Sequence, residues 1–215
     1  VIWSLGNESG AGLGPRAMQQ YLHQKHPDRP VHCEHDNGVA DMVSAMYAGE
    51  GWRGSGGRPC VLCEYTHAMG NSSGNLSEYW HDNIYKTPRH MGAYVWDWVD
   101  QGIRQPVPNE HRAKVGTGPV KETFFAYGGW WENKARVHHD GNFCMNGLVA
   151  ADRTPRPGAY AIKHVYRYVH VRPVDLAAGK VEITNWFDFT NVKDAVDGSW
   201  TILADGEQAA SGPVD

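Results

Sequence analysis

The sequence predicts an α/β fold: parallel βα units of barrel type in the first three-quarters of the chain, then strands of a second, β-sandwich domain. Three observations point there. Short apolar runs alternate with longer mixed segments as far as about residue 168. Glutamates close several of those runs, where a parallel barrel carries its reacting groups. From about Val169 the pattern changes to period two, as in strands with one covered face.

Taken in order, residues 1–5 read as a strand and 13–26 as a helix with Ala17, Tyr21 and Leu22 on its apolar spacing. Pro27 and Pro30 mark the turn into a second strand over 30–34. Further strands are expected at 42–47, 59–65 and 92–98, with a helix over 76–85 before the last. Five strands cannot close an eight-stranded barrel, and Val1-Ile2-Trp3 reads as the inside of a strand, so the expectation is a piece of a longer protein. Residues 104–142, with Pro106, Pro108, Gly116, Gly118 and Pro119, read as one long loop, a length that usually serves function. A last helix is expected over 156–169, with Pro157 near its start and Ala161, Val165 and Tyr168 along one face. Strands at 180–185 and 200–207 follow, and Asp205-Gly206 suits a tight hairpin turn. The expected division places barrel in 1–168 and the opening of a β-sandwich in 169–215.

Composition narrows the function classes. The chain is 41% hydrophobic with nine Trp and ten Tyr, enough for a substantial core. Net charge is −4 and the basic residues form no stripe, which argues against a nucleic-acid partner. No apolar run approaches the roughly 20 residues of a membrane-spanning helix. Cys60-Val61-Leu62-Cys63 has the spacing of a metal knuckle, but side chains three apart on a strand face opposite ways. Cys33, Cys60, Cys63 and Cys144 therefore read as free thiols, in keeping with a reducing compartment. His32-Cys33-Glu34-His35 and His138-His139-Asp140 look metal-like by composition only. The first lies on a strand where neighbours diverge, and the second lies in a loop with no fixed geometry.

The chemistry centres on Glu8, in Trp3-Ser4-Leu5-Gly6-Asn7-Glu8-Ser9-Gly10, and Glu64, in Cys63-Glu64-Tyr65-Thr66-His67-Ala68-Met69-Gly70-Asn71-Ser72. Two carboxylates at neighbouring strand ends are the minimum machinery for splitting a glycosidic bond. Trp96, Asp97 and Trp98 end the next strand, and aromatic faces beside carboxylates suit the apolar face of a sugar ring.

These segments, together with Val95-Trp96-Asp97-Trp98-Val99-Asp100-Gln101-Gly102 and Phe143-Cys144-Met145-Asn146-Gly147-Leu148-Val149, closely resemble the β-galactosidases of glycoside hydrolase family 2, and they occur in the family's order. The resemblance runs to about Val171. It implies a TIM (β/α)8 barrel entered at its fourth strand, so that strands 4 to 8 are present and a β-sandwich begins after them. It further implies Glu8 as acid/base, Glu64 as nucleophile and Tyr47 as the hydroxyl that orients Glu64. Asn7 corresponds to a ligand of the sugar 2-hydroxyl, His67 to a galactose-binding histidine and Trp96 to the floor under the ring. Implied cofactors are Mg2+, with Glu8 among its ligands, and a monovalent cation (Na+ or K+) held by the Phe143 carbonyl and the Asn146 side chain. The implied parent is a cytoplasmic homo-oligomer acting on β-galactosides such as lactose. Trp130-Trp131-Glu132-Asn133 departs from the family's Gly- and Asp-rich segment and, with His138 and His139, leaves the aglycone open. Another β-glycoside, or a non-catalytic carbohydrate-binding role, stands as the alternative.

Overall fold

The computed structural model describes residues 2–112, 121–131, 141 and 143–214, in two compact units, Val1–Val165 and Tyr166–Asp215. Glu132, Asn133 and the His138-His139-Asp140 run lie outside the described residues.

In the first unit, β1 (Trp3–Ser4) pairs in parallel with β2 (Val31–His32), Trp3 opposite Val31 and Ser4 opposite His32. The connection carries α1 (Leu13–Lys25), as a parallel crossover requires. Leu5, Val31, Cys33, Val39 and Ala40 form the core here, with Trp3 and Leu22 packed against it. Of the expected helical face only Leu22 packs; Ala17 and Tyr21 stay exposed.

β3 (Val43–Met46), β4 (Cys60–Tyr65) and β5 (His90–Val95) make a three-stranded parallel sheet with β4 in the centre. Covered on both faces, β4 buries Cys60, Val61, Leu62 and Tyr65, which explains its unbroken apolar sequence. Its register with β3 shifts between Ala45 and Met46, and with β5 between Leu62 and Tyr65. Both irregularities fall beside Glu64, where a bulge re-aims side chains.

Between β2 and β3, side chains make the connection. The Asn37 amide takes both backbone bonds of Ser44, accepting its N–H at 2.8 Å and donating to its carbonyl at 3.2 Å. His32 bridges the gap from one strand to the next: Nδ1 meets Ser4 Oγ at 3.1 Å and Nε2 meets Ser44 Oγ at 2.9 Å. Burial lowers the His32 pKa more than the charge of Glu34 raises it. The neutral imidazole then accepts from one hydroxyl and donates to the other.

Several expectations change. The helix before β5 spans Glu78–Ile84 and is π-wound, closing with a Tyr85 N–H to Trp80 carbonyl bond of 2.9 Å across five residues. Its buried Asn83 holds Arg53 Nε, donates to the Trp52 carbonyl and accepts from Thr87. The stretch expected as one loop contains an antiparallel pair, β6 (Ile103–Pro106) with β7 (Thr123–Ala126). The pair is held by packing between distant residues: Arg104 lies 4.7 Å over the Phe125 ring, and Phe124 meets Trp130 edge-on. The last helix, α2, ends at Val165 (Pro157–Val165), and Tyr168 lies beyond it, exposed.

The second unit holds two hairpins, β8 (Val169–Asp175) with β9 (Lys180–Asn185) and β10 (Ser199–Ala204) with β11 (Glu207–Pro213). Asp205 and Gly206 both have positive φ, 49° and 89°, which matches the strand twist in a two-residue turn.

Candidate functional site

The sequence-derived site residues leave from strand ends. Asn7 and Glu8 follow β1, Tyr47 follows β3, Glu64 is the penultimate residue of β4, and Trp96 follows β5. Glu8, Tyr47 and Thr66 have left-handed φ of 48°, 52° and 47°. Non-glycine residues avoid that region, and where they occupy it they cluster at functional sites. The Trp96–Asp97 peptide is cis.

Tyr47 and Glu64 are joined twice. The Tyr47 hydroxyl donates to Glu64 Oε2 at 2.9 Å, and the Tyr47 amide donates to the Glu64 carbonyl at 2.8 Å. Burial pushes the Glu64 carboxyl above the ordinary carboxylate range, the Tyr47 hydroxyl pulls it back, and the charges of Glu8 and Glu34 push it up again. The net effect is a raised pKa. Burial, then the bond to Glu64, holds the Tyr47 phenol well above its usual value, so it stays a proton donor.

Glu64 and Asn7 line one cleft of about 280 Å³, together with Gly6, His32, Glu34 and Tyr94. Glu8, next to Asn7, is exposed, and its charge reaches both Glu64 and Tyr47. Glu34 is a third carboxylate here. It is 14% exposed, contacts His35 Nδ1 and acts on Glu64, Cys63 and His32. Glu34 closes the strand expected over 30–34, yet the sequence assigned it no role beyond its metal-like run.

His67 lies beside this pair, its ring 5.9 Å from Tyr47 and 5.4 Å from Phe143. Its Nδ1 accepts the Met69 N–H at 3.3 Å, which assigns the proton to Nε2. That Nε2 is buried and unpartnered among the described residues, a donor left for something else. Trp96 is half-buried, fixed by its amide to the Tyr65 carbonyl (3.3 Å) and by its carbonyl to the Ala68 amide (2.7 Å).

Asn146 is 1% exposed and donates Nδ2 to the Phe143 carbonyl at 2.6 Å. Its Oδ1 is buried without a partner among the described residues. The orphaned buried Oδ1 and the Phe143 carbonyl, which accepts from the same amide's Nδ2, are hard oxygens of the kind a monovalent cation takes, and leaving Oδ1 unmet is unfavourable. A monovalent cation fits. Magnesium does not assemble here: among the described residues no three His, Cys, Asp or Glu are placed to share a metal, and Glu8 is a single ligand. The metal-like His32–His35 run likewise forms no such group, and Cys60 and Cys63 donate separately to the carbonyls of Arg53 and Ala45.

The model of the TIM barrel domain of glycosyl hydrolases family 2 matches residues 1–171. The chain belongs to this family. It is 36% identical over 227 residues to a Beta-galactosidase of Klebsiella pneumoniae (strain 342), covering 96% of this chain and 20% of that protein. To Beta-galactosidase 2 of Enterobacter cloacae it is 34% identical over 234 residues, covering 100% of this chain and 21% of that protein. The chain thus spans about a fifth of the length of these curated relatives. Among solved structures, a GH2 beta-galacturonidase from Eisenbergiella tayi bound to galacturonate aligns with TM-score 0.45 and 13% identity, over 77% of this chain and 33% of that one. As a family 2 member the chain is a glycosyl hydrolase barrel sequence, and its strand-end carboxylates acquire a reaction to be tested.

Proposed function

We propose that the protein carrying this chain is a retaining β-galactosidase, with Glu64 as nucleophile and Glu8 as acid/base. The observation that carries the reading is the Tyr47–Glu64 bond of 2.9 Å in a cleft shared with Asn7 and within the field of Glu8. On this reading β1 to β5 are barrel strands 4 to 8, and residues after about 169 open a β-sandwich.

Glu64 is ionised and held by Tyr47, so one carboxylate oxygen stays free to attack the anomeric carbon. Glu8 donates its proton to the departing glycosidic oxygen. The galactosyl ester on Glu64 is then hydrolysed by water, from which Glu8 takes the proton. Retention needs the two carboxyl groups about 5–5.5 Å apart. Asn7 binds the 2-hydroxyl, a contact that strengthens as the oxocarbenium-like transition state forms. His67 donates from Nε2 to a sugar hydroxyl, which gives its buried N–H a partner. Trp96 floors the ring.

Phe143, through its backbone carbonyl, and Asn146 would hold a monovalent cation, which would supply positive charge to a sugar oxygen. Magnesium remains a proposed cofactor of the complete protein with Glu8 among its ligands, and no step here is routed through it. β-Galactosides are the proposed substrates. A cytoplasmic homo-oligomer is the proposed state.

The test uses the complete protein. A 2-fluoro-galactoside should form an ester on Glu64, and Glu64→Gln should lose more than about 10³-fold in kcat on a nitrophenyl galactoside. Near-normal turnover by that variant, or no labelling, would sink the proposal. Labelling by a glucuronide or mannoside reagent in its place would keep the machinery and change the sugar.

A further inference from the structure

The first unit also holds an ion pair outside the Glu64 cleft, between Asp100 and Arg156, and Arg156 and Gly147 line a second cavity with Met69, Gly70 and Asn71. Asp100, whose side chain is fully buried, accepts at Oδ1 from the Gly147 amide (2.8 Å) and from Arg156 Nη1 (2.9 Å), and at Oδ2 from Arg156 Nη2. Arg156 Nη1 also donates to the Gly147 carbonyl at 3.2 Å. Both polar groups of the Gly147 backbone are therefore held by a single ion pair. The neighbouring backbone is pinned in the same direction. Asp97 N–H reaches the Asn146 carbonyl at 3.0 Å, Leu148 N–H the Asp97 carbonyl at 2.9 Å, and Gln101 N–H the Cys144 carbonyl at 2.9 Å. A Cβ at Gly147 would overlap the Asp100 amide nitrogen, the Val99 carbonyl carbon and the Val149 carbonyl oxygen. The segment is pressed against the backbone of Val99 and Asp100, which follow β5.

Gly147 follows Asn146, whose unpartnered Oδ1 and neighbouring Phe143 carbonyl make the cation pair. We propose that Asp100 and Arg156 are positioning residues for this pair. By clasping Gly147 they fix the direction of the Asn146 side chain and so set affinity for the monovalent cation and, through it, for the sugar. The inference rests on the cation reading proposed above and adds to it two residues that act through the Gly147 backbone rather than as cation ligands. Groups that orient ligands from behind are typically worth 10–100-fold in metal affinity.

The test measures sodium binding in two ways on the complete protein: the rise in thermal midpoint with NaCl against choline chloride at constant ionic strength, and the sodium dependence of KM for a nitrophenyl galactoside. In Arg156→Gln and Asp100→Asn the sodium concentration for half effect should rise about 10–100-fold in both readouts, with kcat at saturating sodium within about threefold of the unmodified protein. Arg156→Lys, which keeps the charge but not the fork, should fall between. If Asp100→Asn does not fold, the two Arg156 variants decide. A normal sodium response in folded Arg156 variants would overturn the clasp while leaving the cation site standing. Absence of any sodium response in the unmodified protein would overturn the cation reading and this inference together.

Discussion

At the scale of single residues, the site is a contest over the charge of Glu64. Burial and two like charges, Glu8 and Glu34, resist its ionisation, and the Tyr47 hydroxyl favours it. On the proposed reading Glu64 is the nucleophile and must be ionised, so its pKa would set the acidic limb of kcat/KM. Tyr47→Phe removes a bond to the charged form, so the Glu64 pKa should rise and the acidic limb should move to higher pH. Glu34→Gln removes a repelling charge, so the limb should move to lower pH. Two variants displaced in opposite directions, read from pH profiles of the complete protein, would support the scheme. Displacement in the same direction would contradict it. Glu64 and Glu8 were legible because each closes an apolar run in a distinctive setting. Glu34 closes an expected strand, yet its side chain was hidden among histidines and a cysteine that suggested metal. The left-handed φ of Glu8, Tyr47 and Thr66 could not be read at all, because nothing in a glutamate, tyrosine or threonine asks for it.

At the scale of elements, β3 to β5 were foreseeable to within a few residues, since central parallel strands are written as apolar runs. The elements that escaped depend on partners far along the chain. β6 meets β7 across some twenty residues, and the Asp100–Arg156 pair spans 56 positions. The π-wound Glu78–Ile84 carries buried Asn83, whose bonds to Arg53 and Trp52 reach some thirty positions back along the chain. Close packing of Gly147 against the Val99–Asp100 backbone gives a direct test. Gly147→Ala asks a methyl group to displace three backbone atoms rather than a flexible side chain, so it should destabilise by about 1–3 kcal/mol. Equilibrium denaturation should show the midpoint falling. An unchanged midpoint would mean that the segment yields.

At the scale of the whole chain, stability is unevenly distributed. The sheet of β3 to β5 carries Val43, Cys60, Val61, Leu62 and Tyr65 in its core, whereas every residue of β10 is exposed and β11 is nearly so. Two-stranded hairpins without a covered apolar face are marginal in water. In a polypeptide of these 215 residues, amide exchange should be slowest in β3 to β5 and faster throughout β10 and β11. Equal protection in the two regions would refute that ordering. The change of period after Val169 announced these strands in the sequence, because alternation is a local property.

The double connection between Tyr47 and Glu64 has a mechanical consequence. With one hydrogen bond through the side chains and another through the backbone, the two residues close a ring of covalent and hydrogen-bonded links. Thermal displacement of either strand end carries both partners along, so their separation fluctuates less than the position of either. The orientation of the Glu64 carboxylate is thereby referenced to Tyr47 rather than to the molecule at large, and on the proposed reading so is its line of attack.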